Sequence, residues 1–313
     1  MIPGEQKIER MVKIARMYYE KDMTQSQIAK ELNISRPLVS ILLTEAKERG
    51  IVTISINDIN SSEDKIKDML KKRFFVNDIV LVPDETIAEA TNMSVSEAAL
   101  TYCFADRNSD KNVGIGLGSM IGRMADFAEK MPKDKKNKGT IFPLAGGVSS
   151  IIRGYHTNEM ARIFALKSGK TADFLYAPAL LDDQENLDYV KHSEMYNNIQ
   201  HKWNEMDQAI VSISNCPSEL DEAVRSYYEN SLMENHAVGH LLAYYYDIIG
   251  NVIMPEKEGI IQASLEQLKK VEVIAVCSNL VRPAAIIGAL RLGVINTLIL
   301  PVSTAQKVLD YKD

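Results

Sequence analysis

From residue 78 onward, short apolar runs alternate with stretches of helical periodicity. The runs cover residues 79–82, 112–115, 140–142, 209–213, 271–276 and 297–300. Most of these runs have no polar alternation, which is typical of parallel strands that are buried on both faces. Alternation of such strands with helices predicts an α/β unit with a doubly wound, mostly parallel sheet.

The first 57 residues follow a different pattern, that of short helices. The first helix is predicted to end near residue 21, with a buried stripe made of Ile8, Met11, Val12, Ala15 and Tyr18 or Tyr19. Apolar residues three and four positions apart lie on one face of a helix, so this helix packs against others. An N-terminal helical unit is therefore expected before the α/β unit.

Two further helices are predicted on either side of a tight turn. Thr24 is a candidate N-cap for a short helix over 25–32, and Asn33 at the break tolerates left-handed backbone. Ser35 and Pro37 then begin a third helix, which Gly50 ends. Its inner face is expected to hold Val39, Leu42, Leu43 and Ala46, and a strand is predicted over 51–56. Two helices joined by a three- to four-residue turn form a helix-turn-helix.

The second of these helices carries polar side chains on the face that its apolar residues leave free. A helix of this kind enters the major groove of DNA, where Arg36 can contact a guanine edge or a phosphate. The candidate DNA-binding residues are Thr24, Gln25, Ser35, Arg36, Pro37, Ser40, Thr44 and Lys47. The expected partner is double-stranded operator DNA. A three-helix protein-interaction module is the alternative.

Charge bears on how such a unit would bind. The chain has a net charge of −6, but residues 1–60 hold nine Lys/Arg against eight Asp/Glu. A nearly neutral unit must contact phosphates by local placement of charge, so paired half-sites and a homo-oligomer, dimer or tetramer, are expected. The polar stretch 57–62 suggests domains over 1–57 and 58–313, with a linker helix at about 61–74.

Several classes are disfavoured. No apolar stretch approaches the length of a membrane span, and residues 1–7 lack the apolar core of a signal peptide, which predicts a cytoplasmic protein without membrane contact. The three cysteines are far apart and the histidines suggest no metal site. Neither a metal nor a cofactor is expected.

Two glycine-containing turns follow predicted strands of the α/β unit. Gly116 and Gly118 precede a helix over 119–129, and Gly146 and Gly147 follow the strand at 140–142. Free amides at a helix N-terminus favour an anion, and open α/β sheets bind ligands at the carboxyl ends of their strands. Tight packing alone is the alternative explanation for such turns.

Taken together, these motifs resemble the SorC family of sugar-binding transcriptional regulators. The matching stretches are YY at 18–19, TQSQIA at 24–29, LNISRPLVS at 32–40, GIV at 50–52, VGIGLGS at 113–119, PLAGG at 143–147, NLVRPAAI at 279–286, GVINTL at 293–298 and STA at 303–305. Ile41 stands where members often carry arginine, so a phosphate or base contact of the family is missing here.

The resemblance implies an isomerase-like fold without catalysis that binds phosphorylated sugars. The effector-binding candidates are Gly116, Leu117, Gly118, Ser119, Gly146, Gly147, Arg153, Asn279 and Arg282. The two glycine turns and Arg282 are expected to converge on one anion. Arg282 replaces the family's late lysine, whereas Met120, Asn279 and Pro301 replace its usual threonine, glycine and aspartate. The usual effectors of the family therefore cannot be assumed.

The sequence predicts a DNA-binding regulator of carbohydrate metabolism, with affinity controlled by a small phosphorylated sugar or polyol. It is not expected to be an enzyme, because no general base is evident near the glycine turns and Pro301 occupies the turn that would most naturally hold a carboxylate. The alternatives are a sugar-phosphate isomerase or deaminase, a metabolite-binding adaptor, and a regulator with a degenerate effector site.

Overall fold

A computed structural model describes residues 3–52, 62–105, 108–132, 137–148, 154, 156–181, 183–217, 227–228, 230–255 and 258–312. The chain forms two compact units, Met1–Ser61 and Ser62–Asp313. The polar stretch and most of the strand predicted over 51–56 lie outside the described residues.

Within residues 3–52, the described part of the first unit, the chain forms three helices. They are α1 (Pro3–Tyr19), α2 (Gln25–Glu31) and α3 (Arg36–Glu48). The predicted inner face of α3 is confirmed, since Val39, Leu42, Leu43 and Ala46 are all buried. Asn33 adopts a left-handed conformation with φ of 50° at the turn between α2 and α3. These three helices enclose one small apolar core.

The buried stripe predicted for the first helix is partly wrong. Ile8 is 44% exposed, whereas Ile14 and Met17, which the prediction omitted, are buried. At 100° per residue, the buried face of α1 centres on residues 11, 14 and 18, with Ile8 at one edge of it and Met17 at the other, so only the edge with Met17 is covered. The helix also ends at Tyr19 rather than near residue 21.

The second unit is built on one sheet. Its strands are β1 (Asp78–Val82), β2 (Val113–Ile115), β3 (Thr140–Pro143), β4 (Thr171–Ala172), β5 (Gln208–Asn215), β6 (Gly239–Leu241), β7 (Tyr244–Tyr246), β8 (Val252–Ile253), β9 (Glu272–Val276) and β10 (Thr297–Pro301). Seven strands run parallel in the order β1-β10-β9-β5-β2-β3-β4. An antiparallel meander, β6-β7-β8, extends from the end of β5.

Helices cover both faces of this sheet. They are α4 (Ser62–Phe74), α5 (Ala88–Cys103), α6 (Ser119–Lys130), α7 (Thr157–Ser168), α8 (Gln184–Lys191), α9 (Glu194–Asn204), α10 (Ser231–Glu234), α11 (Leu265–Leu268), α12 (Pro283–Arg291) and α13 (Val302–Asp310). One apolar cluster lies under α4, α9, α12 and α13, and a second lies under α5, α6 and α7.

The predicted fold class is confirmed. Each of the six apolar runs is a strand of the parallel sheet, and their register places equivalent ends together, as in the pair Val82 and Pro301. The prediction missed β4 and the antiparallel meander. Those strands have two or three residues each, which is too short for an apolar run to stand out from the loops beside it.

The helix predicted over 61–74 is α4, which packs on the second unit. Ile66, Leu70 and Phe74 belong to the core of that unit, while Met69 is 56% exposed. The Arg73 guanidinium donates hydrogen bonds to the carbonyls of Val308 and Leu309, both at 3.2 Å. Three of the four apolar residues of the predicted linker helix therefore stabilise α4 against the second unit.

Candidate DNA interface and effector crevice

The turn between α2 and α3 is held by two local caps. The Thr24 hydroxyl accepts a hydrogen bond from the Gln27 amide at 3.3 Å, and the Gln27 side chain accepts one from the Thr24 amide at 2.9 Å. Ser35 caps α3 by accepting from the Leu38 amide at 3.4 Å. Reciprocal caps satisfy amides that have no partner within the helix, so they fix where each helix begins.

The predicted DNA-binding residues of α3 lie on its exposed side. Arg36, Pro37, Ser40, Thr44 and Lys47 are all exposed, while the opposite side is the buried face. Arg36 also lines a surface cleft of about 540 Å³ together with Thr24 and Gln25. The candidates from α2 and α3 therefore share one surface of the first unit.

Some of these side chains already have intramolecular contacts. The Thr44 hydroxyl donates to the Ser40 carbonyl at 3.1 Å, so its proton is committed to the helix. The Lys47 ammonium lies 5.9 Å from the centre of the Tyr19 ring, a distance typical of a cation–π contact. Thr24 and Ser35 act as caps, whereas the side chains of Gln25, Arg36 and Ser40 form no hydrogen bond with another described residue.

An ion-pair cluster fixes α3 to α1. The Glu45 carboxylate lies 2.7 Å from the Lys7 ammonium and 2.7 Å from the Arg49 guanidinium. The hydrogen bond from Lys7, followed by the charges of Lys7 and Arg49, holds the pKa of Glu45 below its ordinary value although desolvation opposes this. One acidic side chain of α3 is thereby neutralised beside the candidate interface.

In the second unit, the candidate ligand site is at the carboxyl ends of β2, β5 and β9. From β2 the chain crosses to β3, which lies on the side of β2 away from β5. The next parallel strand in sequence after β5 is β9, which lies on the side of β5 away from β2. Open α/β sheets form a crevice where neighbouring strands lead in opposite directions. The turn after β2 and the loop after β9 therefore flank the carboxyl end of β5.

The first glycine turn packs directly against β5. The Gly116 amide donates to the Ile210 carbonyl at 2.8 Å, so this donor is not available to a ligand. Gly118 has φ of +133°, and a Cβ there would lie 2.9 Å from the Ser212 Cβ. Backbone conformation and close packing thus both require glycine at position 118.

Beyond Gly118, the N-terminus of α6 has backbone amides without a partner in the described part of the chain. The Gly118 amide donates to the Gly154 carbonyl at 3.0 Å. The amides of Ser119, Met120 and Ile121 have no hydrogen-bond partner among the residues that the structure describes. Because the N-terminus of a helix carries partial positive charge, an anion would be stabilised beside the exposed Ser119, whereas Met120 and Ile121 are buried.

The second glycine turn is built differently. The Gly146 amide donates to the Ile261 carbonyl at 2.9 Å, and a Cβ at Gly146 would lie 2.4 Å from the Pro178 carbonyl oxygen. Gly147 is exposed and lines a separate cleft of about 420 Å³. Arg162 lines this cleft too and forms an ion pair with Glu159 at 2.8 Å. Close packing thus explains Gly146. Gly147 is exposed, but its amide donates to the Ala177 carbonyl at 2.9 Å and its carbonyl accepts from the Ala179 amide at 2.7 Å, so neither group is available to a ligand.

The loop after β9 carries Asn279 and Arg282. The Arg282 amide donates to the Asn215 side-chain oxygen at 2.8 Å, and its exposed guanidinium donates to the Cys216 carbonyl. Asn279 donates to the Ala88 carbonyl at 2.9 Å, while its own side-chain oxygen is buried with no hydrogen-bond partner in the described part of the chain. That oxygen is a buried acceptor left unsatisfied beside the crevice.

The structure therefore brings the first turn and Arg282 to the same strand, β5. It adds residues that the sequence did not single out, namely Ser212 beneath Gly118, Asn215 beside Arg282 and Gly154 against the first turn. Ser212 lies within an apolar run, and Gly154 is 36 residues from Gly118 in sequence, so no local pattern indicated either. Arg153 lies outside the described residues.

Two negative findings apply to the described residues alone. No helix among them combines the length and the apolar character needed to cross a membrane. Within the same ranges, no three His, Cys, Asp or Glu side chains are grouped so that they could hold a metal ion.

Comparison with known proteins defines the class. The model of the sugar-binding domain family matches residues 60–310. The chain is 31% identical to the sorbitol operon regulator of Klebsiella pneumoniae, over 96% of this chain and 98% of the relative. It is 27% identical to the deoxyribonucleoside regulator of Bacillus subtilis, over 97% of this chain and 98% of the relative.

A solved structure agrees with these matches. The full-length sorbitol operon regulator SorC from Klebsiella pneumoniae superimposes with a TM-score of 0.74 at 26% identity, covering 96% of this chain and 98% of that one. A helix-turn-helix unit followed by a mostly parallel α/β unit defines a two-domain transcriptional regulator. The chain belongs to the SorC family of sugar-binding transcriptional regulators, and the resemblance seen in its motifs is confirmed.

Proposed function

We propose that the protein is a DNA-binding regulator of carbohydrate metabolism whose affinity for operator DNA is controlled by a small phosphorylated sugar or polyol. The observation that carries the proposal is the exposed side of α3. Val39, Leu42, Leu43 and Ala46 bury one side, which leaves uncovered a surface with Arg36, Ser40 and Lys47 along one flank. A capped helix with such a surface fits the major groove.

The contacts with DNA divide into two kinds. Arg36, in the first turn of α3, can donate two hydrogen bonds to the edge of a guanine. Lys47 lies near the other end of the helix, where its charge suits a phosphate oxygen. Because α3 presents its N-terminal residues to base edges, Arg36 is the stronger candidate for specificity.

The effector is proposed to bind along the carboxyl end of β5. The amide of the exposed Ser119, which has no partner among the described residues, and the Arg282 guanidinium are the two sources of positive potential. Ser212, beneath the first turn, and Asn215, beside Arg282, are three residues apart, which is about 10 Å along a strand. A compact polyol phosphate therefore fits with its anion at one end and hydroxyls toward Asn279.

Two observations disfavour an enzyme at this crevice. Pro301 ends β10 where the family has aspartate. The Asp84 carboxylate lies near that turn, but its oxygens accept from the Ser303 amide at 2.8 Å and from the Ser303 hydroxyl at 2.6 Å. A carboxylate that caps a helix in this way is poorly placed to take a proton from a ligand.

Specific operator binding by a nearly neutral DNA-binding unit needs at least two copies, so the protein is proposed to be a homo-oligomer that works in the cytoplasm. Two modules on half-sites one or more helical turns apart multiply their separate affinities. Analytical ultracentrifugation of the full chain tests this. A monomer at micromolar concentration that still binds its operator tightly contradicts it.

The regulator itself is tested with the full chain and a duplex from the region upstream of its gene. We expect a specific complex in fluorescence anisotropy, and a shift in its Kd with one member of a panel of sugar phosphates and their unphosphorylated parents. Complex formation without any effector response supports the degenerate-site alternative. Effector binding without DNA binding supports the adaptor, and product formation from a sugar phosphate supports the enzyme.

A further inference from the structure

The residues of α3 that point directly away from its buried face are not the same as the polar DNA-binding candidates. We call these residues the outward line. At 100° per residue, the buried residues Val39, Leu42, Leu43 and Ala46 define one direction across the helix. The line directly opposite runs through Pro37, Ile41, Thr44 and Glu48. Arg36, Ser40 and Lys47 lie on one flank of that line.

Ile41 is therefore an apolar side chain at the centre of the exposed surface. It is 60% exposed, and it belongs to none of the apolar clusters of the described residues. Thr44, one turn further on, donates its hydroxyl proton to the Ser40 carbonyl at 3.1 Å. The middle of the outward line thus presents aliphatic carbon and no free side-chain donor.

We propose that Ile41 specifies a thymine in the operator by packing against its C5-methyl group. This inference rests on the proposed DNA binding by α3. In the major groove, the thymine methyl is the distinctive apolar group on a base-pair edge. An isoleucine can neither accept nor donate a hydrogen bond, so it cannot pair with a phosphate or with a polar base edge.

The position of Ile41 in the helix favours a base over the backbone. It lies in the second turn of α3, one turn after Pro37, and the N-terminal residues of a reading helix contact base edges. Members of the family often carry arginine at this position, and its replacement by Ile41 removes a hydrogen-bond donor. The isoleucine replaces that donor with a contact that distinguishes thymine from uracil and from cytosine.

The test begins with selection of binding sites by the full chain from a library of random duplexes. We expect a site in which one position of each half-site is thymine. The thymine at that position is then replaced by uracil, which removes the methyl group alone. For the unmodified protein we expect about a fourfold loss of affinity, the effect of one buried methyl group.

Two variants separate the contact from other effects. In Ile41→Ala, the replacement of thymine by uracil at that position is expected to change affinity by less than about a factor of 1.5, because no side chain reaches the methyl. Ile8→Ala is the matched control, since Ile8 is an isoleucine on α1 that is 44% exposed. It is expected to keep the fourfold response. Replacement of the base pair by one with 5-methylcytosine at that position is expected to restore part of the affinity lost with plain cytosine.

The outcomes distinguish the inference from the function on which it rests. If no duplex is enriched by the unmodified protein, the proposed DNA binding fails. A site may be enriched while every replacement of thymine by uracil lowers the affinity of Ile41→Ala as much as that of the unmodified protein. In that case the Ile41 contact is overturned while DNA binding stands. If Ile41→Ala weakens all duplexes equally, Ile41 supports the fold or a protein contact, and the contact is likewise overturned.

Discussion

The guanidinium of Arg282 donates a hydrogen bond to the backbone carbonyl of Cys216. This contact joins the loop after β9 to the chain just beyond β5. It holds a positive charge at the carboxyl ends of the strands without neutralising it, because a carbonyl carries no net charge. The exposed remainder of the guanidinium can donate to an anionic ligand.

Arg282→Met is expected to weaken strongly the effect of the effector on DNA affinity while leaving effector-free DNA binding unchanged. The substitution removes the charge but keeps most of the aliphatic stem. A hydrogen bond to a charged group contributes about 2 kcal/mol, so the Kd of the effector should rise roughly thirtyfold. Isothermal titration calorimetry of the full chain against the sugar-phosphate panel measures this.

Arg291→Met is the matched control for that experiment. Arg291 lies at the other end of α12 and donates to the Ile248 carbonyl at 3.0 Å. It is at the opposite end of the helix from the crevice, so effector affinity should not change. Equal losses in both variants would mean that Arg282 acts through stability of α12 rather than through the anion.

Arg36→Ala is expected to weaken operator binding while leaving the fold intact. The side chain is exposed and contributes nothing to the core of the first unit. If it reads a guanine, the loss is about 1 to 3 kcal/mol and falls on one base position. Anisotropy titrations against single-substitution duplexes locate that position.

Arg16→Ala provides the comparison for charge alone. Arg16 is exposed on α1 and forms a distant ion pair with Glu20 at 3.9 Å. Its removal should change affinity little and equally on every duplex. A loss for Arg36→Ala that is the same on all sequences and shrinks with added salt would reassign Arg36 to a phosphate.

Glu45 should make the stability of the first unit depend on pH. Hydrogen bonding from Lys7 keeps its folded-state pKa below the ordinary value of 4.5. As the pH falls, Glu45 therefore binds a proton in the unfolded chain before it does so in the folded chain. Its contribution to the free energy of unfolding is present above about pH 4.5 and is lost as the pH falls through the lower, folded-state pKa. Glu45→Gln should be less stable than the unmodified protein at neutral pH, with the difference disappearing in acid.

Methyl signals of Ile14 and Ile28 report this unfolding, because both side chains are buried in the first unit. Denaturant titrations of the full chain are compared at pH 7 and at pH 3. Glu48→Gln is the control, as Glu48 is on the same helix and forms no ion pair with another described residue. A gap between Glu45→Gln and the unmodified protein that persists at pH 3 would refute the proposed linkage.

Lys170 is expected to stabilise the second unit. Its ammonium, in a residue that is only 8% exposed, donates to the carbonyls of Asn108, Ser109 and Lys111 at 2.9, 2.7 and 2.7 Å. Burial lowers the pKa of this ammonium group. Lys170→Met leaves these carbonyls without their donor, which should cost about 2 to 3 kcal/mol.

Unfolding of this unit can be followed by the fluorescence of Trp203, the single tryptophan of the chain. Lys269→Met is the comparison, because Lys269 is an exposed lysine in an ion pair with Glu266. It should change stability by less than about 0.5 kcal/mol. Similar unfolding curves for the two variants would show that the carbonyl contacts contribute little.

The features that could be predicted from the sequence are those set by neighbouring residues. The caps at Thr24 and Ser35 and the buried face of α3 follow from spacing over a few positions. The same holds for β5 and β10, whose apolar runs are long enough to stand out. Each of these depends on the geometry of a single helix or strand.

The arrangement of the crevice could not be predicted in this way. Gly118 contacts Ser212 and Gly154, and these contacts depend on the order of strands in the sheet. The spacing of apolar residues along the chain does not indicate which strands become neighbours in the sheet. The separate environments of Gly146 and Gly147 likewise arise from Pro178 and Ile261, both distant in sequence.

Pro301 has a consequence for how ligand preference can diverge. It occupies the last position of β10 and keeps its register with Val82, so proline replaces the family's aspartate without disturbing the pairing of these strands. Proline is tolerated at a strand end where its missing amide is not needed. Turns at this edge are thus free to mutate while the sheet stays constant. A lineage can then acquire a new inducer through a few loop substitutions and retain its ancestral scaffold.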